Sequence, residues 1–139
     1  MKAAVIDASV AAKWVIAEEH SNRAATLLDC EQLHAPDHWL AETVNAVWAR
    51  VFRGELDADD AAERAQVLTR APIIGATLPG LMPRAFEIAT ARSVTIYDSL
   101  YVALAEKLGL PLVTADRKLV RAMAAGGTDV VRVLWVGEV

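Results

Sequence analysis

Short apolar runs alternate with longer stretches in which apolar residues recur at helical spacing, and this alternation continues from one end of the chain to the other. Residues 2–7 form a partly β-branched run that ends at Asp7, the pattern of a buried strand. Val10, Trp14 and Val15 give Ser9 to Ala17 the one-sided stripe of a helix. Ser21 to Cys30 reads as a second helix capped by Ser21, and Leu33 to Pro36 as a brief strand closed by proline. A long helix opens at Asp37 or His38 and runs to Arg53, where Gly54 stops it. The polar stretch Glu55 to Asp60 feeds a helix from Asp57 to Arg70, followed by a short strand at Pro72 to Leu78 and a Pro79-Gly80 turn. Helices are expected at Leu81 to Arg92 and at Ile96 to Leu108, the second capped by Gly109. A strand at Leu112 to Thr114, a helix at Arg117 to Ala124, a Gly126-Gly127 turn and a strand at Val130 to Val136 complete the chain.

Strands alternating with helices predict an α/β fold, a three-layer sandwich whose short, mainly parallel central sheet is flanked by helices on both faces. The polar middle is a loop within a single domain spanning residues 1–139, because neither half is long enough to stand comfortably alone.

Four acids stand out against this apolar frame. Asp7 and Asp116 each follow a strand, so parallel neighbouring strands would bring both to the carboxyl edge, where ligands bind in open α/β sheets. Asp98 lies in the first turn of a helix that is apolar on almost every side, and a buried acid there needs a partner or a cation. Glu42 sits opposite the Leu40, Val44, Val47 and Val51 stripe, in a narrow polar seam with Thr43 and Asn45. Each acid also has a purely structural explanation. Asp7 and Asp116 can cap the helices that follow them, although Ser9 could replace Asp7 in that task, and Thr95 with Asp98 fits a capping box. The functional reading therefore rests on convergence. Two carboxylates about 4 Å apart repel by roughly 4 kcal/mol at an effective dielectric near 20, so four would require protonation or a cation. Oxygen donors without histidine or thiolate favour Mg²⁺ or Mn²⁺.

Composition narrows the setting. With 139 residues, 55% of them apolar, the chain can bury a sizeable core, and its single Cys30 excludes an internal disulfide and cysteine-pair zinc sites. No run approaches a membrane span and no leader precedes the first strand, so a cytoplasmic protein is expected. The net charge of −4 argues against affinity built on a lysine coat, yet four acids in one site would account for all of it. The three histidines, His20, His34 and His38, lack ligand spacing, and Trp14, Trp39, Trp48 and Trp135 read as core or interface residues.

These residues carry a resemblance. Val5-Ile6-Asp7-Ala8-Ser9-Val10 with Lys13-Trp14, Leu40-Ala41-Glu42-Thr43-Val44-Asn45, the run from Tyr97-Asp98 to Ala105, and Leu112 through Leu119 are similar, in order and over almost the whole length, to the PIN-domain ribonucleases. Within these, the chain resembles the VapC-type toxins of bacterial toxin–antitoxin pairs. The match is weakest between Gly54 and Gly80. The resemblance implies that Asp7, Glu42, Asp98 and Asp116 bind Mg²⁺ or Mn²⁺, Asp7 and Asp98 most directly, for hydrolysis of RNA phosphodiesters by an activated water without a protein nucleophile. It implies Ser9, Thr114 and Asn45 as accessory polar groups, and Lys13, Arg50, Arg53, Arg117 and Lys118 as candidates for steering RNA phosphates. Arg117 and Lys118 occupy the place where some relatives carry a further acid, which counts against a tightly held second metal. A homodimer and a small VapB-type antitoxin partner are implied as well.

Two other readings compete. A PIN nuclease of RNA maturation would share the site but lack an antitoxin. A receiver-like signalling domain would share the alternation, but it requires adjacent acids after the first strand and a late-strand lysine, neither of which is present.

Overall fold

Among the described residues, the buried runs become five parallel strands: β1 (Ala3–Ile6), β2 (Gln32–Pro36), β3 (Ile73–Ala76), β4 (Leu112–Thr114) and β5 (Val133–Trp135), ordered β3-β2-β1-β4-β5. The structure is a computed structural model that describes residues 1–125 and 131–139. The expected Gly126-Gly127 turn and Val130, the expected start of the last strand, lie outside the described residues. Pairing is in register from Ala3↔Gln32 to Val5↔His34 and from Leu33↔Ile73 to Pro36↔Ala76. On the other side of β1, Ile6 faces Val113 and Leu112 faces Val133.

Between the strands lie α1 (Ala8–Ala11), α2 (Ser21–Thr26), α3 (Trp39–Phe52), α4 (Ala58–Leu68), α5 (Met82–Arg92), α6 (Ile96–Leu108) and α7 (Arg117–Ala124), with short 3₁₀ turns among them. Right-handed crossovers put α1 to α4 on one face and α5 to α7 on the other, which gives the expected three layers. The core runs from Val5, Ile6, Leu112 and Val113 into α6, whose residues Ser99 to Ala105 are all buried. An uninterrupted apolar helix thus fills the space over the central strands, each leucine contributing about 1.5–3 kcal/mol of burial.

Ends predicted from caps hold. Thr95 Oγ1 accepts from Asp98 N at 3.1 Å at the start of α6, and Gly109 ends the helix in the left-handed region with φ +65°. The first two helices differ from expectation. The first is only Ala8–Ala11 plus a 3₁₀ turn at Ala12–Trp14, and the indole of Trp14 donates to Ala24 O at 2.9 Å. Asp7, and not Ser9, is its N-cap, accepting from Val10 N at 3.3 Å. Ser21 does not cap α2, since its hydroxyl donates to Ile16 O and accepts from Glu18 N. The cap position is His20, with φ +65°. The helix becomes 3₁₀ at Leu27–Asp29 and does not reach Cys30.

Candidate functional site

Because the chain leaves β1 in one direction to build β2 and β3 and later returns to place β4 on its other side, the sheet has its switch point between β1 and β4. Asp7 is the first residue beyond β1 and Asp116 the second beyond β4. With Ile6 opposite Val113, the next pair along the two chains is Asp7 and Thr114. Thr114 Oγ1 donates to Asp7 Oδ2 at 2.5 Å, and Ser9 Oγ donates to Asp7 Oδ1 at 2.5 Å. Ser9 Oγ in turn accepts from Ala115 N at 2.9 Å, and Thr114 Oγ1 from Asp116 N at 3.0 Å. Two hydroxyls thus lock the buried carboxylate and pass its constraint to the backbone of the loop that carries Asp116. Burial nonetheless dominates and pushes the Asp7 carboxyl up to about 6, against the hydroxyls of Ser9 and Thr114 and the Val10 N–H, which pull it down.

Asp116 caps α7 through Oδ1, which accepts from Lys118 N at 2.9 Å. Capping and site placement are thus compatible, because a cap uses one carboxylate oxygen. Asp98, half-buried in the first turn of α6, is pushed up by burial and then by the negative charges of Asp116 and Glu42; Thr95 and His38 oppose the shift. The charge of Asp98 likewise acts on Asp7. All four acids therefore share one electrostatic neighbourhood, with Asp98 at its centre.

Glu42 reaches this neighbourhood from α3, across the carboxyl edge of the sheet. The buried Tyr101 hydroxyl, one turn after Asp98, donates to Glu42 Oε1 at 2.7 Å. His38 Nε2, one turn before Glu42, lies 3.2 Å from the same oxygen and 3.0 Å from Tyr97 O, and its ring packs on Tyr101 with centroids 4.7 Å apart. Burial opposes ionisation of Glu42, but the bonds from His38 and Tyr101 outweigh it and hold the carboxyl below its ordinary range. Tyr101 is pushed far above the ordinary phenol range by burial and by donating to Glu42, so it remains a donor. This clamp is the part that sequence reading misses. Its only signal is helical spacing, His38 four residues before Glu42 and Tyr101 three after Asp98.

Among the described residues, no three acidic, histidine or cysteine side chains are grouped tightly enough to hold a metal ion by themselves. The chemistry of the donors does fit a hard divalent cation: four carboxylates, no thiolate, and an imidazole already committed to Glu42 and Tyr97. Asn45, one turn beyond Glu42, is exposed. Of the expected phosphate-steering cations, Lys13 is bound to Glu18 at 3.2 Å and to Glu19 O at 2.6 Å. Arg50 pairs with Glu18 and Glu55, and Arg53 with Glu55 at 3.1 Å. Arg117 and Lys118 are exposed beside Asp116. Trp39 is buried in the core, but Trp48 is 55% exposed and stacks on Phe52.

Asp7 and Asp116, at the switch point of a parallel sheet of five strands among the described residues, define an α/β protein with a candidate carboxylate site at its strand ends. The PIN domain family matches residues 4–124, and the chain belongs to that family. Ribonuclease VapC3 of Pyrobaculum aerophilum is 34% identical, over 87% of this chain and 95% of that relative. The crystal structure of PAE2754 from Pyrobaculum aerophilum superposes with a TM-score of 0.72 at 24% identity, covering 99% of this chain and 85% of the other. That of VapBC2 from Rickettsia felis, bound to a DNA fragment from its promoter, superposes with a TM-score of 0.65 at 11% identity, covering 96% and 98%. The chain is accordingly a ribonuclease of the VapC kind, and no helix among its described residues is long and apolar enough to cross a membrane.

Proposed function

We propose that this ribonuclease is a single nuclease domain that hydrolyses RNA phosphodiesters at Asp7, Glu42, Asp98 and Asp116 with Mg²⁺ or Mn²⁺. We further propose that it acts as the toxin of a toxin–antitoxin pair, as a homodimer held inactive by a small antitoxin. The reading is supported by one observation: the negative charges of Asp116 and Glu42 bear on Asp98, and that of Asp98 bears on Asp7, which links the four acids at the carboxyl edge of the sheet. When bound, a divalent cation supplies neutralisation of the scissile phosphate and acidification of the attacking water.

The remaining work falls to the chain. Ser9 and Thr114 hold Asp7 in one rotamer, so its carboxylate is preorganised despite burial. Tyr101 and His38 occupy Oε1 of Glu42 and leave Oε2 unengaged among the described residues. Asp116 spends one oxygen on the cap of α7, and the other accepts no hydrogen bond among the described residues. No side-chain nucleophile is required.

Asp98→Asn tests the assignment, because it removes the central charge with little change of shape. Cleavage of total RNA should be lost, the fold by circular dichroism retained, and the growth arrest caused by expressing the chain alone abolished. Full cleavage by Asp98→Asn, or cleavage by the original chain that persists in EDTA, would overturn the metal site. Absence of growth arrest despite cleavage would overturn the toxin role and favour a nuclease of RNA maturation.

A further inference from the structure

A depression of about 370 Å³ has Asp116 in its wall. We propose that it is a subsite for the RNA backbone phosphate adjacent to the one cleaved, formed by Arg117, Lys118 and Arg121 of α7 and organised by Trp135 and His20.

Its lining carries four cations, Lys13, Arg117, Lys118 and Arg121, against two carboxylates, Glu19 and Asp116. Lys13 is neutralised by Glu18, and Glu19 lies 3.2 Å from His20 Nε2. Among the described residues, no ion pair engages the nitrogens of Arg117, Lys118 or Arg121. Arg117 and Arg121 are one turn apart on α7, so their side chains share a face. This contrasts with Arg50 and Arg53, whose charge is spent on Glu18 and Glu55.

Arg117 is also held in place. Its guanidinium carbon lies 3.6 Å from the centroid of the Trp135 ring, a cation–π contact that fixes the plane while leaving the in-plane N–H donors free. Trp135 is itself wedged. His20 packs edge-on against it with centroids 4.9 Å apart at 82°, from a backbone with φ +65°. Gly137 allows the indole to lie against the next turn, because a Cβ there would come within 2.4 Å of two ring carbons and 2.8 Å of a third if built in place. A planar donor fork fixed before the ligand arrives suits a phosphate oxygen pair better than a point charge would. Ala115 and Asp116 line the depression, and the Ala115 N–H is bonded to Ser9 of the acid site, so the depression adjoins that site through a single loop. A chain with regularly spaced phosphates can place one at the acids and the next on α7.

The inference rests on the acid site as the place of cleavage, and the test separates the two. Binding of a fluorescent, uncleavable 2′-O-methyl oligoribonucleotide is measured in EDTA across about 50–200 mM salt for the original chain, Arg117→Ala, Arg121→Ala and the distant Lys107→Ala. Each arginine variant should bind more weakly and lower the salt slope by about 0.7, the value for one lost contact to a single strand, while Lys107→Ala should not. In cleavage, Arg121→Ala should raise KM and leave kcat unchanged. It should matter for an oligonucleotide that extends past the scissile phosphate and not for a dinucleotide carrying that phosphate alone. An unchanged salt slope in both arginine variants, or equal losses on the two substrates, would overturn the subsite. The binding measurement needs neither metal nor turnover, so a failure of the acid-site assignment would register only in the Asp98→Asn experiment.

Discussion

Replacing Asp7 by asparagine should make the metal-free protein more stable at neutral pH while abolishing its activity. The carboxyl is raised by burial from 3.8 to about 6, so keeping it ionised in the folded protein costs about 3 kcal/mol, at 1.36 kcal/mol per pH unit. Between those two values the native chain holds a proton that the unfolded chain has released. Stability contributed by this residue is therefore complete below pH 3.8 and declines as pH rises through about 6. Asparagine keeps the shape and carries no charge. Its Oδ1 can accept from Ser9 and Val10 N, and its amide can donate to Thr114 Oγ1, whose second lone pair is open after accepting from Asp116 N. Allowing for the amide's own desolvation, the expected gain at pH 8 is about 1–2 kcal/mol, shrinking toward zero by pH 4. Urea unfolding in EDTA, followed by tryptophan fluorescence at several pH values, reads this as a midpoint shift at constant slope. A variant less stable than the original chain at pH 8, or a difference that does not vary with pH, would refute the reasoning. Saturating Mg²⁺ should close the gap by stabilising only the original chain.

Two further substitutions isolate other features. Tyr101→Phe removes only the hydroxyl that holds Glu42; Mn²⁺ affinity, read by electron paramagnetic resonance, and cleavage should each fall about 10–100-fold, and affinity within two-fold of the original would count against the clamp. Ser99 is fully buried and its hydroxyl has no partner among the described residues, so Ser99→Ala should raise stability by about 1 kcal/mol; a loss of that size in thermal unfolding would mean that the hydroxyl has a partner after all.

Much of this architecture is legible in the amino-acid order because local chemistry enforces it. The bounds of α6, β4 and α7 follow from Thr95, Gly109 and Asp116, whose caps act within a few residues of themselves. Asp7 and Asp116 are recognisable as strand-end acids for the same reason. The first two helices are misjudged because tertiary bonds decide them: Trp14 is anchored to Ala24, and Ser21 turns back to Ile16. Tyr101 is hidden by belonging to the core, where a tyrosine in an apolar run attracts no notice. Arg50 reads as a free cation because Glu18, one of its two partners, lies 32 residues away in sequence.

The bond from Thr114 to Asp7 joins residues 107 apart and lies within the candidate centre. Its consequence concerns synthesis. A ribosome making this chain releases Asp7 first, yet that carboxylate gains its second hydroxyl and its neighbour Asp116 only when β4 has emerged and docked beside β1. No shorter nascent fragment contains the full set of groups, and non-local strand pairing is among the slower steps of folding. A ribonuclease wired this way is assembled last at its candidate centre, so a translating cell is spared that centre until β4 has been made.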